Sequence, residues 1–323
     1  MLIFRTDPSI KTGFGHLKRS VYLSSLLKKK IDILFCIDKD KVVSRFLEER
    51  NIPYCLSKEL NIIKEKPVKS ILFDLKKFSS MDIEWLNWAK EKDKSTIQLT
   101  DLGLNRQPVD YTIDASIEQL FPYDEGKQVL IGPDYALLHH KFRHFNKVRR
   151  KYCKKVRNIF VSLGGAVQYR QLRKVVDLLS RYRFNIKVSP GFYLKKSGRK
   201  ILKRLYPGLR FVGKTESLAR AFFEADVALI TPGMAAAEAA AVGTPCLYLH
   251  DNKEQKFFAK TFEKQGVGLE ISNINDLLEG NIIEIMNSLT LEKRIEMGNK
   301  GKKLVDGTGA CRIVDFFERK GII

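Results

Sequence analysis

The sequence predicts an α/β protein of two doubly wound parallel-sheet domains facing each other across a cleft, and three observations predict it. Short apolar runs alternate with amphipathic stretches along the chain. The alternation restarts after a basic segment near the middle. A glycine-rich turn follows the first apolar run of each half. Strand, helix, strand, helix in this order gives a parallel sheet with right-handed crossovers. The 323 residues, 44% of them hydrophobic, suffice for two cores in domains of about 150 residues each.

In the first half, "LIFR" (2–5) is short and apolar. "GHLKRSVYLSSLLKKK" (15–30) sets Leu17, Val21, Tyr22, Leu26 and Leu27 at three- and four-residue spacings, the helical period. "IDILFCID" (31–38) is a continuous apolar run bounded by charges, as in a strand buried on both faces. "VVSRFLEERN" (42–51) reads as a helix, "SILFD" (70–74) as a strand, and "MDIEWLNWAKEK" (81–92) as a helix. "STIQLTD" (95–101) and "DYTIDAS" (110–116) read as strands.

The second half opens with "RNIFVSLGG" (157–165), a strand entering a glycine turn, then the helix "YRQLRKVVDLLSRY" (169–182). "FNIKVSPG" (184–191), "LRFVG" (209–213), "DVALIT" (226–231) and "PCLYLH" (245–250) are strands. "LKKSGRKILKRLY" (194–206), "ESLARAFFEA" (216–225), "GMAAAEAAAVG" (233–243) and "KEQKFFAKTFEKQG" (253–266) are the helices among them. The tail is helical and ends in "CRIVDFFERKG" (311–321). The expected domains are therefore 1–145 and 146–308, both Rossmann-like, with a terminal helix in 309–323 packing back on the first.

The formal charge of +21 implies attraction to anions. Its densest patch, "KFRHFNKVRRKYCKKVR" (141–157), has three scattered aromatics and no nucleic-acid module around it, so it reads as a solvated interdomain connection. No nucleic-acid partner is expected, and the basic surface leaves room for weak association with an acidic membrane. Five dispersed cysteines without a C-x-x-C pair read as reduced thiols of a cytoplasmic protein. No apolar run reaches the roughly 18 residues of a membrane span, and no secretory signal is expected at "MLIFRTDPS". The five histidines show no metal-ligand spacing, so no metal and no cofactor are expected. Oligomeric state is left open.

The chemistry is expected at the strand ends, where parallel sheets bind ligands. In "TGFGH" (12–16), Gly13 and Gly15 allow close backbone approach, and the helix start adds free N–H groups and partial positive charge. Lys18 stands where a dinucleotide fingerprint needs its third glycine, and no P-loop follows. His16, at that mouth, is a base able to take a proton from water or a sugar hydroxyl; as a plain turn cap it would do none of this. Arg19 shares its face one turn on. Arg5 and Asp7 point the same way, either as a structural pair or toward a ligand. In "TPGMAAAEAAAVGTP" (231–245), Pro232 and Gly233 lead into a helix start that suits a pyrophosphate. Glu238, the only charge of that run, could accept from a ribose diol or lie on the surface.

Arg5, Asp7, Gly13, Gly15, His16 and Arg19 together resemble the opening of the PseG family, the UDP-2,4-diacetamido-2,4,6-trideoxy-β-L-altropyranose hydrolases of pseudaminic acid biosynthesis, related in fold to MurG and other GT-B glycosyltransferases. "IGPDYALL" (131–138), "VSLGG" (161–165), "AAAEAAAVGTP" (235–245), "EQKFFAKTFEKQG" (254–266) and "DGTGACRIVD" (306–315) extend the similarity along nearly the whole chain. The resemblance implies a GT-B-like fold and a UDP-sugar substrate, with metal-independent release of UDP. The histidine matching His16 would act on the attacking water at the anomeric carbon. It carries Gly164, Gly165, Gly233, Met234 and Glu238 to uridine, pyrophosphate and ribose, Gln255 to the phosphates, and Asp74 and Tyr135 to the sugar. Leu75 and Lys76 stand where the family has His-Tyr, His139 where it has arginine, and Ala235 near its usual serine or threonine. A GT-B glycosyltransferase using the same nucleotide site is the alternative.

Overall fold

A computed structural model describes residues 1–7, 14–59, 63–124, 128–165, 167–192, 194–213 and 217–323, with backbone alone for 279–281. The chain divides into two compact units. Unit 1 is Met1–Leu137 with Thr308–Ile323, and unit 2 is Leu138–Gly307.

Unit 1 carries the strands β1 (Leu2–Thr6), β2 (Ile33–Ile37), β3 (Tyr54–Leu56), β4 (Ser70–Asp74), β5 (Ser95–Thr100), β6 (Tyr111–Asp114) and β7 (Val129–Ile131). They form a seven-stranded sheet in the order β3-β2-β1-β4-β5-β6-β7, parallel throughout. The chain runs outward from β1 to β3 and returns on the other side of β1, so the strand order reverses between β1 and β4. At that switch point Thr6 lies level with Asp74. β1 and β4 are buried along their whole length, which explains their unbroken apolar runs. The helices are α1 (Gly15–Leu27), α2 (Lys41–Glu48) and α3 (Ser80–Glu91). α1 buries Leu17, Leu23 and Leu27, and α3 sets Trp85, Leu86 and Ala89 into the core beneath β4.

Unit 2 carries β8 (Asn158–Ser162), β9 (Asn185–Val188), β10 (Arg210–Phe211), β11 (Val227–Ile230), β12 (Cys246–His250) and β13 (Gly268–Asn273). Its six-stranded parallel sheet has the order β10-β9-β8-β11-β12-β13, reversing between β8 and β11, where Ser162 lies level with Ile230. Its helices are α4 (His140–Lys147), α5 (Tyr169–Ser180), α6 (Lys196–Leu205), α7 (Leu218–Glu224), α8 (Met234–Ala241), α9 (Lys253–Lys264), α10 (Glu279–Ser288) and α11 (Leu291–Leu304). The last helix, α12 (Gly309–Arg319), belongs to unit 1. There Phe316 meets Tyr111 edge-on at 5.4 Å, Glu318 pairs with Lys30, and Ser70 Oγ donates to Ile322 O at 3.2 Å.

The basic stretch 141–157 is more than a connection, although most of its lysines and arginines are solvated as its composition suggests. α4 occupies its first half, with Phe142 buried 6.5 Å from the ring of Phe222. Asn146 Nδ2 donates to Ala241 O at 2.8 Å, and Arg150 turns inward to Phe223 O at 2.8 Å and Thr244 Oγ1 at 3.0 Å. Unit 2 thus starts at Leu138, ahead of the boundary expected after residue 145. β3, β7 and β13, three short or half-exposed strands, also lie outside the pattern read from the sequence.

α12 starts where the chain re-enters unit 1, and the fit there is tight. A Cβ on Gly309 would lie 2.4 Å from Ala136 O and 2.7 Å from Ala136 N. Backbone cannot yield as a flexible side chain would, so Gly309→Ala is expected to destabilise unit 1 by about 1–3 kcal/mol. Urea unfolding followed by tryptophan fluorescence checks this, because both tryptophans, Trp85 and Trp88, report from α3.

Candidate active site

The C-terminal edge of the unit 1 sheet is lined with carboxylates. Asp7, Asp38 and Asp101 directly follow β1, β2 and β5, while Asp74 and Asp114 close β4 and β6. Two of them converge on the start of α1. His16, in the first turn of that helix, has Nδ1 2.6 Å from Asp74 Oδ1. Asp74 is fully buried, whereas the His16 side chain keeps 16% exposure.

Arg19, one turn on, closes the arrangement. Its Nη2 and Nε donate to Asp74 Oδ1 and Oδ2 at 2.6 and 2.9 Å, and its Nη1 donates to both oxygens of Asp101 at 2.7 and 2.9 Å. Ser20 Oγ adds a bond to Asp74 Oδ2 at 2.9 Å. Burial alone would raise the Asp74 carboxyl; the Arg19 guanidinium and His16, by charge and hydrogen bonds, outweigh it and hold its pKa at about 2. An ionised carboxylate only accepts, which assigns the Nδ1 proton of His16 to the bond with Asp74. Nε2 is then the basic nitrogen. Arg19 Nη2 also lies 3.2 Å from Nδ1, and its proton goes to Asp74 Oδ1 instead.

Arg5 sits deeper, 1% exposed, and the carboxylates that it meets are Asp82 at 2.6 Å and Asp38 at 3.0 Å. Its third bond goes to Thr6 O at 3.2 Å. A guanidinium so enclosed braces β1 against α3 and the β2 end rather than facing a ligand. Asp7, by contrast, stands at the strand end, with Oδ1 3.5 Å from the Lys76 amide. Burial raises its carboxyl to about 6, against the opposing pull of His16, the Lys76 N–H and Arg5. A carboxyl raised in this way penalises folding in full above about pH 6, and the penalty fades as pH falls from there to the ordinary value of 3.8. Asp7→Asn is therefore expected to raise the melting temperature at pH 8, by less at pH 5, and to change it little below about pH 4, by paired thermal melts.

Gly15 opens α1 after Phe14, which has no side-chain acceptor to cap the helix, while Gly13 lies outside the described residues. Leu75 is buried in the core under β4, whereas Lys76 is exposed, with its backbone bonded to Asp7 and Asn105. Tyr135 ends a short 3-10 turn after β7 and is half-buried; its backbone lies against Gly309. His139 caps α4 by accepting from the Lys141 amide at 3.3 Å, and burial, with the charges of His140 and Lys141, lowers its pKa to about 4.

In unit 2, Gly164 and Gly165 follow β8, and Gly233 follows β11, on either side of the switch point. Gly233 caps α8 at φ 133°, a conformation closed to other residues, and a Cβ there would meet nothing within 4 Å. Ala236 N–H returns to Gly233 O at 3.0 Å, which leaves the amides of Met234 and Ala235 at the helix tip. Glu238, one turn in, is 4% exposed and so is no surface residue. Gln255 accepts from the Asp251 amide at 3.0 Å, and its own amide donates to Asn252 Oδ1 at 2.9 Å, which fixes it at the start of α9 beside the β12 end.

Sequence reasoning missed Asp101 as the second partner of Arg19, and Asp38 and Asp82 as the partners of Arg5. The signal was present: an aspartate ends or follows most strands of the first half.

No protein-family model matches the chain. It is 27% identical over 347 residues to the spore coat polysaccharide biosynthesis protein SpsG of Bacillus subtilis, with 97% of this chain and 98% of that protein covered. Among solved structures, MurG of Acinetobacter baumannii matches with a TM-score of 0.70 at 15% identity, over 98% of this chain and 99% of that one. The chain has the GT-B fold. The UDP-GlcNAc 2-epimerase of Neisseria meningitidis, bound to UDP-GlcNAc, shares it with a TM-score of 0.60 at 13% identity, over 99% of this chain and 100% of that one.

Proposed function

We propose that this chain is a nucleotide-sugar enzyme of polysaccharide or nonulosonic acid biosynthesis that releases UDP from a UDP-diacetamido-trideoxy-hexose by attack of water at the anomeric carbon. The observation that carries the reading is the His16–Asp74 pair at the unit 1 switch point, a base oriented by a buried carboxylate that is ionised at neutral pH. The GT-B fold shared with a UDP-GlcNAc enzyme supports a nucleotide sugar, and the relative named for spore coat polysaccharide biosynthesis supports the setting.

In this reading His16 Nε2 takes a proton from water as its oxygen bonds to the anomeric carbon. The bond from that carbon to the phosphate oxygen breaks, and UDP leaves with the electron pair. Asp74 stabilises the imidazolium as it forms, and Arg19, shared with Asp101, keeps Asp74 ionised. Unit 2 binds the UDP: the amides at the α8 tip receive the pyrophosphate charge, Gly164 and Gly165 give it room, and Glu238 and Gln255 contact ribose and phosphate. The second reading, transfer to an acceptor hydroxyl, uses the same base and is favoured by the fold shared with MurG.

Proton NMR of the purified chain with UDP-2,4-diacetamido-2,4,6-trideoxy-β-L-altropyranose, beside UDP-GlcNAc and with no acceptor present, separates them. Free sugar and UDP accumulating from the first donor are the expected result. A donor that binds and stays intact until an acceptor is added would establish transfer instead.

A further inference from the structure

The charge of the protein is unevenly placed. Residues 158–213 hold thirteen lysines and arginines against one carboxylate, Asp177, and so carry more than half of the net +21. This stretch folds as β8, α5, β9, α6 and β10, the outer half of the unit 2 sheet beyond its switch point. α5 and α6 lie side by side, because Tyr206 Oη, just past α6, donates to Asp177 Oδ1 at 2.9 Å. Arg181 Nη2 takes the other oxygen at 3.2 Å, so the single local carboxylate is already engaged.

α6 itself contains no acidic residue. Leu202 is fully buried and anchors the helix, while Lys196, Lys200, Lys203 and Arg204 are exposed on its outer face. Beside that row stand Ile201 and Leu205, one turn apart on the same side, 41% and 45% exposed. Two large aliphatic side chains turned to solvent within a cationic helix make the pattern of a helix that lies in a lipid interface. Nucleic acid would use the cations through its phosphates but has no use for this exposed aliphatic pair.

We infer that the α6 face docks unit 2 on an acidic lipid surface, the cations meeting anionic headgroups and Ile201 and Leu205 entering the interface. The attachment is peripheral: among the described residues, no helix is long and apolar enough to cross a membrane. The inference is independent of which reaction the enzyme performs.

The test is co-sedimentation of the full chain with vesicles of phosphatidylcholine alone and of phosphatidylcholine mixed with phosphatidylserine, at low and physiological salt. Binding is expected to the mixed vesicles only, weakening as salt rises. Lys200→Glu with Lys203→Glu is expected to lower partitioning about a hundredfold. Ile201→Ser with Leu205→Ser, in a separate protein, is expected to lower it about tenfold. All four positions are exposed, so both proteins should melt as the parent does by circular dichroism. No sedimentation with mixed vesicles would overturn the inference. So would binding that depends on the lysines alone, or tighter binding to duplex DNA at the same salt, either of which would mark a general polyanion surface.

Discussion

His16→Ala is expected to lower the rate of UDP release by about a thousandfold, the usual contribution of a well-placed general base, while UDP affinity stays close to that of the parent. The separation follows from where the groups sit. His16 belongs to α1 of unit 1, whereas the residues assigned to the nucleotide follow β8 or lie at α8 and α9 of unit 2. Initial rates by coupled UDP detection, with calorimetric titration of UDP, measure the two effects independently. A variant that loses UDP binding as well as rate would place His16 on the nucleotide and not on the water.

Asp74→Asn is expected to cost about a hundred- to ten-thousandfold in kcat with little change in KM, because the substitution removes the acceptor that fixes the His16 tautomer. It should also destabilise the fold. Asp74 takes bonds from His16, Arg19 and Ser20, and an amide nitrogen in place of either oxygen would face a donor. Arg19, 8% exposed, would keep only Asp101. Breaking a buried charge pair in this way costs about 3–5 kcal/mol, read as a shift of the urea midpoint. The same carboxylate sets an acid limit. Its folded pKa of about 2 lies below the ordinary value of 3.8, so its stabilisation is complete above about pH 4 and is lost as pH falls toward 2. Parent and Asp74→Asn proteins should therefore converge in stability across that window.

The central strands were legible because burial on both faces leaves only apolar runs, as in "LIFR", "SILFD" and "DVALIT". The sheet margins were not. β3 and β13 hold mostly half-buried residues, and β7 has three residues of which Ile131 is exposed, so neither a continuous nor an alternating pattern arises. α4 and the segment after it were masked by their cations: the sequence shows the charge but not that Phe142 of α4 and Arg150 beyond it turn inward. For the site, local spacing was enough to single out His16, Arg19 and the Gly233 turn. The partnership of His16 with Asp74 spans 58 residues and depends on the reversal of strand order between β1 and β4, which no local pattern encodes. Arg5 and Asp7 illustrate the converse: neighbours on one strand by spacing, they diverge because Asp82 of α3 and Asp38 beyond β2 approach Arg5 from outside the strand.

The measurement that bears most directly on the account is the fate of labelled oxygen. UDP release would be run in ¹⁸O-water without acceptor, and both products weighed by mass spectrometry. One labelled oxygen on the anomeric carbon of the free sugar and none in UDP is the predicted result, since a base at the His16 position activates water against carbon. Label in the UDP phosphate would mean attack at phosphorus, and no release at all without an acceptor would mean transfer; either would contradict the account.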